Sequence, residues 1–391
     1  MPQTESEKQN RPAPLRRRLA IVAAAAIAMA CHCCSANAGG LVRLTDKSKK
    51  TIEGKVVAVN SATCTLMDRM GRIHFQPVSK IQSIKKIGQR FEPGSTAAFR
   101  QSLIQEFKGR YEVAGSTHYM VCAPAGRAKQ YAKLFESIYR DVEHFYHSRG
   151  FRVKRPDVPL VAIVFRSQSE FAQYCRRDNV APSPTLMGYY SPVSNRVALF
   201  DDAKLLTESD PETPARANKG IAAYAAITGN TADTVIHEAT HQVGFNIGIH
   251  SRLGGTPVWV VEGLATSLEP TGMRKKSGRQ LISDRINSER ADWFKRRHRP
   301  KRPMGSLAKL IATDDFFHKS TLNSYSEAWA FSFFLLENSS RRLQFVRYLK
   351  TIVERDASRG YSAQQRLKDF QDAFGDIARL EVEFIRYMDR I

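Results

Sequence analysis

The feature that most constrains the fold of this chain is a His-Glu-x-x-His pattern at residues 237–241. No proline interrupts the following turns, and Thr231 or Asp233 can cap a helix that contains the pattern. Residues four apart on a helix lie about 40° apart around its axis and about 6 Å apart along it. A helix here therefore presents His237 and His241 from adjacent turns to a single point.

Two imidazoles at this spacing are typical of a site for a divalent metal ion, and the pattern as a whole indicates zinc. Glu238 is rotated by about 100° from His237 around the helix axis. It can therefore flank the ion and reach a water molecule there without being a ligand itself. This placement predicts that Glu238 is the general base of a metal-assisted hydrolysis.

A second predicted helix supplies a third ligand for the metal. It opens within residues 256–266, with Thr256 as its cap and Pro257 at its first position, where a missing N–H does no harm. Glu262 lies 21 positions after His241, across a loop that contains two adjacent glycines. Catalytic zinc takes three protein ligands and leaves a fourth position for water. We therefore expect Glu262 to complete the set with the two histidines; the alternative is an ordinary carboxylate on a helix surface.

The two motifs together make the chain resemble a gluzincin of the peptidase MA-like group, because H-E-x-x-H is followed by P-x-W-x-x-E-G-x-A at residues 257–265. It is similar in particular to a family of uncharacterised exported bacterial proteins that are predicted to be such peptidases. The resemblance covers residues 91–391 and includes segments 246–248 and 325–329. It implies an α+β, zincin-like fold, with a small sheet packed on the active-site helix, an edge strand above the cleft and a helical second subdomain. It also implies a peptide or protein substrate.

The resemblance further implies a tyrosine from a later helix that donates to the developing oxyanion, because related peptidases use one. Tyr325, within the sequence Ser-Tyr-Ser-Glu-Ala-Trp at residues 324–329, is the candidate. Such a donor adds to the stabilisation that a metal provides. The alternative is that Tyr325 packs on an apolar helix face with Ala328, Trp329 and Phe331.

Three further features are candidates for supporting roles. His250 is a second candidate donor, with a bystander histidine as the alternative. Thr266 lies one turn after Glu262 and can accept an N–H from a ligand histidine, as the outer partners of metal ligands do; related enzymes often use an acidic residue there. Residues 188–191 and 196–200 predict a hairpin, whose first strand can pair with a substrate by β-augmentation or serve as a plain core strand.

Residues 39–90 are predicted to form a separate small β-barrel of SH3-like type. Five short strand patterns fall between Leu41 and Ile87, with turn-prone segments between them. No catalytic constellation is visible in them, so this region is interpreted as an interaction or spacer module. Residues 91–95 mark the boundary to a metallopeptidase domain over residues 91–391, in which strands precede a mostly helical second half.

Within this second domain the pattern predicts several elements and one long connection. Apolar residues recur at helical spacing over residues 127–148, and residues 160–165 form a fully apolar strand. Residues 201–230 have weak periodicity and are interpreted as a long loop or lid. Three cysteines lie outside the first 38 residues, and either one disulfide or buried free thiols is compatible with that number.

The first 38 residues contain, in order, the regions of a secretory signal peptide. Arginines at 16–18 precede an apolar run over residues 19–30, and small residues at 36–38 form an A-x-A arrangement. The run is shorter than the roughly 20 apolar residues that span a membrane. We expect cleavage after Ala38 and export to the periplasm, the cell envelope or the medium. A retained signal anchor, or lipid attachment at Cys31, is the alternative, and no second stretch is predicted to span a bilayer.

The charge of the chain favours anionic partners. The sequence contains 60 Lys+Arg and 38 Asp+Glu, a formal net charge of +22. A charge of +19 remains without residues 1–38, which hold five basic and two acidic side chains. Such a charge suits an anionic envelope surface. The densest basic cluster, residues 295–302, is interpreted as a solvated loop, and the sequence contains no zinc finger, aromatic RNA-binding motif or basic zipper. We therefore expect no specific binding of nucleic acid.

These observations predict an exported zinc metallopeptidase in which His237, His241 and Glu262 hold the metal. Glu238 and Tyr325 are its predicted catalytic residues. Two alternatives stay open: a catalytically silent zinc-binding protein, and an envelope-binding protein, each of which retains the same fold. Glu238 favours an enzyme, because a purely structural zinc site does not need that carboxylate.

Overall fold

The computed structural model describes residues 39–201, 230–274 and 281–391. The predicted signal peptide and almost all of the predicted 201–230 loop lie outside the described residues. The described chain divides into two units. The first holds residues 39–69 and 74–92, and the second holds residues 70–73 and the described residues from 93 onward.

The first unit contains an antiparallel sheet around a small apolar cluster. Its strands are β1 (Leu41–Asp46), β2 (Thr51–Val59), β3 (Thr63–Asp68), β4 (Ile73–Pro77) and β5 (Ile81–Gly88), in the order β4-β3-β2-β1-β5. Along β1, buried Val42 and Leu44 flank exposed Arg43, because successive side chains of a strand point to opposite faces. The five strands predicted for this region are present, and the SH3-like closure of the sheet stays a prediction.

The second unit begins with a mixed sheet whose two edges are antiparallel to its centre. Its strands are β6 (Glu112–Gly115), β7 (Tyr119–Ala123), β8 (Leu160–Phe165), β9 (Gly188–Ser191) and β10 (Arg196–Phe200), in the order β6-β7-β8-β10-β9. Strand β8 is parallel to both β7 and β10 and is buried along its whole length, as its unbroken apolar sequence predicts. The predicted hairpin is confirmed as β9–β10, and β9 is an edge strand.

Helices surround this sheet and make up the rest of the unit. They are α1 (Thr96–Glu106), α2 (Ala128–Ser148), α3 (Gln168–Arg177), α4 (Asn230–Asn246), α5 (Val258–Leu268), α6 (Thr271–Arg274), α7 (Ile282–Arg285), α8 (Ser288–Trp293), α9 (Ser306–Ala312), α10 (Asp315–Lys319), α11 (Thr321–Glu337), α12 (Ser339–Glu354), α13 (Ala363–Phe374) and α14 (Ile377–Met388). The predicted α+β class is confirmed, with an antiparallel sheet first and a helical region last. In the described parts of the chain, no helix combines the length and the apolar character that a membrane crossing requires.

Helices α5 and α11 approach each other unusually closely at one residue. A Cβ atom placed on Gly263 would lie 2.1 Å from the Ser332 hydroxyl and 2.5 Å from the Ala328 carbonyl oxygen. Because real Cβ atoms do not come so near a backbone atom, only glycine fits between these two helices. The contact brings Glu262 of α5 to the side of α11.

The basic cluster at residues 295–302 is not the solvated loop that its composition suggested. Residues 294–298 form a π-helical turn and residues 299–301 a 3₁₀ turn. Lys295, Arg296 and Arg297 are exposed as expected, but the side chains of His298 and Arg302 are only 6% and 3% exposed. Both pair with buried carboxylates, and composition alone does not reveal such partners.

The three described cysteines, Cys64, Cys122 and Cys175, are buried thiols outside any disulfide. Burial raises the pKa of Cys122 to about 12 and that of Cys175 to about 11, so neither thiol is a reactive nucleophile near neutral pH. Of the two predicted possibilities, the structure therefore shows buried thiols.

Candidate metal centre

Helix α4 places the His-Glu-x-x-His pattern against the sheet. Its buried Ile236, Ala239 and Val243 recur at helical spacing and belong to the main apolar core. The helix begins at Asn230, so Asp233 lies in its first turn and the predicted start at Thr231 or Asp233 was too late. Residues three or four apart lie on one face of a helix, so His237 and His241 share a face, which lies next to this apolar stripe.

Helix α5 carries Glu262, the third predicted ligand. It begins one residue later than the sequence predicted, at Val258 and not at Pro257. Pro257 is the N-cap in extended backbone, and Val258 is the first helical residue. The Val258 N–H donates to Asp314 Oδ1 at 3.0 Å, whereas the Thr256 hydroxyl accepts from the Ser251 N–H at 3.2 Å. The prediction that Thr256 caps the helix was therefore wrong, and a distant aspartate satisfies the helix start instead.

The structure brings the three predicted ligands together. The Nε2 atoms of His237 and His241 are 3.0 Å apart, and Glu262 Oε2 lies 3.2 Å from the first and 3.5 Å from the second. One ligand atom from each residue lies within 4.8 Å of the others. The side chains of His237, His241 and Glu262 are 15%, 9% and 14% exposed, so solvent reaches the cluster. Three lone-pair donors therefore converge on one point that solvent can reach.

The electrostatics of the cluster favour a positive charge at that point. Burial raises the pKa of Glu262, but the charge of His241 and hydrogen bonds from both imidazoles outweigh this and hold the pKa well below its usual range. Burial lowers the pKa of His237, and its bonds to Glu262 and Glu269 reverse that effect and raise the pKa well above its usual value. A cation shared by these groups is therefore stabilised.

Glu238 lies beside the ligands and does not join them. It is partly buried, and burial raises the pKa of its carboxyl group, while the charges of His237 and His241 oppose that rise. The backbone N–H of Tyr190, on edge strand β9, donates to the same carboxylate. This places a carboxylate of raised proton affinity between the two histidines and the edge strand.

Glu269 is the residue of the site that sequence reasoning missed. The Nδ1 atom of His237 donates to Glu269 Oε1 at 2.8 Å, and Glu269 Oε2 accepts from Asn287 Nδ2 at 2.5 Å. Thr266, predicted for this role, instead donates its hydroxyl to the Glu262 carbonyl oxygen at 2.7 Å. Glu269 is the C-cap of α5, two turns after Glu262 on the same face. A search for acidic residues seven positions after the third ligand would have found it.

Tyr325 lies at the cluster, as the resemblance implied. Its ring is 6.5 Å from the His237 ring, centre to centre, and nearly parallel to it. Burial raises the pKa of its hydroxyl well above the usual value, and the negative charges of Glu262 and Glu238 raise it further. Ala328 and Trp329 are fully buried on the neighbouring face, whereas Tyr325 is partly exposed toward the ligands. Its ring also packs edge-on against Phe317 and against the apolar core, so its role as a donor stays a prediction.

Comparison with known protein families gives one match. The family model described as a protein of unknown function, DUF1570, matches residues 231–357. This is less than half of the chain, but it contains all three predicted ligands together with Glu269 and Tyr325. None of the curated proteins matches the chain.

Within the matched region, His250 lies in the bend that follows α4 and is held against that helix. It is 4% exposed, and burial together with repulsion from His241 lowers its pKa to about 3. A Cβ atom on Gly244 would lie 2.9 Å from His250 Cδ2, so the missing side chain makes room for the ring. The imidazole is therefore neutral and close to the ligands, and its predicted role as a donor stays a prediction.

A network of buried amides joins α4 to the β9–β10 hairpin. Gln242 Nε2 donates to the carbonyl oxygens of Val161 and Asn195 at 3.0 and 2.8 Å. The side chains of Asn195 and Asn246 bond to each other at 2.7 and 3.0 Å, and the Tyr190 hydroxyl donates to Asn195 Oδ1 at 2.9 Å. These bonds fix the edge strand relative to the helix that carries Glu238.

Proposed function

We propose that this chain is a zinc-dependent peptidase of gluzincin type. The observation that carries the proposal is the convergence of His237, His241 and Glu262 within 4.8 Å, with Glu238 beside them. The two motifs come from different helices, and the sequence predicts each of them as a source of ligands. Two imidazoles and one carboxylate are also a donor set that catalytic zinc uses.

The spacing of the donor atoms fits a zinc ion. Ligands bound at about 2.0–2.1 Å in tetrahedral geometry lie about 3.3–3.4 Å from each other. The three separations here, 3.0, 3.2 and 3.5 Å, bracket that value. His237 would bind through Nε2, because its Nδ1 donates to Glu269. A carboxylate on the far nitrogen of a ligand histidine fixes its ring and tautomer.

The residues around the cluster suit hydrolysis of a peptide bond. A zinc ion supplies Lewis acidity, which lowers the pKa of water to about 7 and polarises a carbonyl group. The raised pKa of Glu238 suits a base that accepts a proton from the attacking water and returns it to the leaving amine. Tyr325, whose hydroxyl stays protonated at neutral pH, is the donor that we assign to the developing oxyanion.

The edge strand offers a way to bind the substrate main chain. Strand β9 has β10 on one side, and its Tyr190 N–H bonds to Glu238. An extended peptide can add to the other side of such a strand through main-chain hydrogen bonds. We therefore assign β9 as the substrate-pairing strand, and we propose a zincin-like fold for the second unit and an SH3-like module for the first.

The proposal includes export and an anionic setting. The first 38 residues have the regions of a signal peptide, and the remaining chain carries a net charge of +19. Such a charge favours residence at a negatively charged envelope surface, where the peptidase would meet its substrates.

Metal analysis combined with peptide digestion tests this function. Protein exported by an expressing host is assayed for bound zinc and for cleavage of a peptide library, with and without a chelator. We expect one zinc per chain, cleavage that chelation abolishes, and cleavage at least about 100-fold slower in Glu238→Gln, which retains the metal. Unchanged cleavage by Glu238→Gln would eliminate the mechanism, and absence of bound metal would eliminate the site. Bound zinc without cleavage of any peptide would favour a silent zinc-binding protein.

A further inference from the structure

Arg290 is a cation beside the cluster that the proposed hydrolysis does not use. It lies on α8, and its guanidinium carbon is 5.8 Å from the centre of the Tyr325 ring. Within the described residues, its buried Nε atom has no hydrogen-bond partner. It pairs with Glu289 at 3.4 Å, but that carboxylate is 79% exposed and therefore screened by solvent. The guanidinium thus retains capacity to donate hydrogen bonds to a ligand.

The position of Arg290 is fixed to the cluster through its own helix. Asn287, the N-cap of α8, accepts from the backbone N–H of Arg290 at 3.2 Å and donates to Glu269 Oε2 at 2.5 Å. At the end of α8, Trp293 Nε1 donates to Asn323 Oδ1 of α11 at 2.9 Å. Helix α8 is therefore held at both ends, by the carboxylate that binds His237 and by the helix that carries the candidate oxyanion donor.

The distance between Arg290 and the cluster matches a short length of peptide. The His237 and Tyr325 rings are 6.5 Å apart, and the guanidinium is 5.8 Å from the Tyr325 ring, so the guanidinium is at most about 12 Å from the His237 ring. An extended chain advances about 3.3–3.6 Å per residue. At most about four residues separate a group bound by Arg290 from a bond cut at the cluster.

The charges of the residues around Arg290 indicate which chemical group its guanidinium binds. Glu238, Glu262 and Glu269 make the surroundings acidic, so a substrate carboxylate needs a dedicated cation. Arg274 does not serve, because it donates to the carbonyl oxygens of Leu268 and Glu269 at 2.6 and 3.1 Å. An arginine side chain presents a planar fork that matches a carboxylate, and such charge-assisted bonds are among the strongest in proteins.

We propose that Arg290 binds a substrate carboxylate, the free C-terminus of the peptide, within about four residues of the cleaved bond. The enzyme would then release short fragments from C-terminal ends. This inference rests on the proposed function, because it assumes that a peptide occupies the cleft.

Binding of matched peptides to an inactive variant tests the inference. The full chain with Glu238→Gln, loaded with zinc, is titrated with fluorescent peptides of identical sequence that end in a carboxylate or a carboxamide. A second pair is amidated and differs by Glu or Gln at one of the last four positions. We expect the carboxylate to bind at least about tenfold more tightly than the amide, because a charged hydrogen-bonded pair is lost. Arg290→Gln, added to Glu238→Gln, should reduce that ratio to about one.

The controls separate recognition from stability. Arg296→Gln is the matched variant, because Arg296 is 77% exposed and pairs with Asp292 on the protein surface; it should keep the full ratio. Arg290→Lys retains a charge without the planar fork, and it should keep a smaller preference for the carboxylate. It also serves if Arg290→Gln does not fold. If Arg290 only stabilises the fold, Arg290→Gln would weaken binding of the carboxylate and carboxamide peptides equally and leave the ratio of their affinities unchanged.

Each outcome decides either this inference or the proposed function. Equal binding of acid and amide, or a preference that persists in Arg290→Gln, overturns the inference even if the wild type cleaves peptides. Discrimination in the Glu/Gln pair alone overturns the C-terminal assignment and moves the carboxylate to an acidic side chain. If the wild type cleaves none of these peptides but the Arg290-dependent ratio is observed, hydrolysis fails as a function and the carboxylate site stands.

Discussion

In the described part of the second unit, two clusters of buried histidine and glutamate differ in how their charges are compensated. In the first, Glu327 accepts from His298 at 2.5 Å and from Arg302 at 2.7 and 2.9 Å. Arg302 also pairs with Glu381 at 2.6 Å. Glu381 in turn accepts the N–H groups of Gly305 and Leu307 at 3.1 Å. Every carboxylate oxygen in this network has a donor from the protein.

In the second cluster, the groups that face the carboxylate are imidazole nitrogens with lone pairs, and no arginine among the described residues donates to it. Glu262 faces the imidazoles of His237 and His241 in place of an arginine, and the two facing Nε2 atoms are 3.0 Å apart. Neutral imidazole nitrogens cannot both donate at that distance. The comparison teaches that burial of histidine and glutamate does not mark a metal site. Converging acceptor atoms that no arginine or lysine of the protein neutralises favour one.

The largest expected effect follows removal of one ligand. His241→Ala leaves two protein ligands where catalytic zinc takes three, so we expect loss of the bound metal and of all detectable hydrolysis. Metal content by mass spectrometry and cleavage of a substrate peptide measure both. His298→Ala is the matched control from the compensated cluster and should leave zinc stoichiometry unchanged. If His241→Ala and His298→Ala both lost zinc, the two clusters would not differ in metal binding and the comparison would be wrong.

Glu238→Gln should reduce kcat/KM by about 10²–10⁴-fold, because general-base catalysis contributes about that factor. Zinc affinity should stay close to that of the wild type, since Glu238 is not a ligand. Steady-state kinetics together with competition against a chelator of known affinity measures the two quantities. A loss of zinc affinity as large as the loss of rate would reassign Glu238 to the ligand set.

Arg302→Met should lower the free energy of unfolding by about 3–5 kcal/mol, because it leaves two buried carboxylates without their cation. Denaturant unfolding measures this loss. The folded fraction should bind zinc as the wild type does, which sharpens the comparison: one cluster supports stability and the other binds a ligand. A change in unfolding free energy below about 1 kcal/mol would contradict the assignment of this network.

Glu269→Gln should weaken zinc binding by about 10–100-fold, because the partner that orients His237 loses its charge. Thr266→Val tests the residue that sequence reasoning favoured and should leave zinc affinity unchanged, since its hydroxyl bonds to its own helix. Chelator competition on both variants measures the effect. If Thr266→Val weakened zinc binding more than Glu269→Gln did, Thr266 would be the residue that orients His237.

The sequence predicted the parts of the site that local spacing determines. His237, Glu238 and His241 follow from the periodicity of one helix, and Glu262 follows from a second predicted helix at a suitable spacing and from the three-ligand requirement of catalytic zinc. Helix α2 and all five strands of the first unit were also predicted, because their apolar residues repeat with the period of a helix or a strand.

The missed residues depend on contacts between distant segments. Glu269 is 32 positions from the histidine that it holds, and Asp314 caps a helix 56 positions earlier. Thr266 was preferred because it is one turn from Glu262, but a threonine in a helix readily bonds to the carbonyl four residues before it, and this one does. His298 and Arg302 were misread because a run of basic letters does not show which of them meets a buried carboxylate.

Gly263 sets how close together helices α5 and α11 can lie. Because no side chain fits between α5 and α11, the spacing of the two helices is already at its minimum, and any substitution there would drive them apart. Glu262 and Tyr325 would then be displaced together, from opposite sides of the same gap. Under the proposed function, changes in the accepted substrates are therefore expected in neighbouring segments such as α8, and not at the contact between α5 and α11.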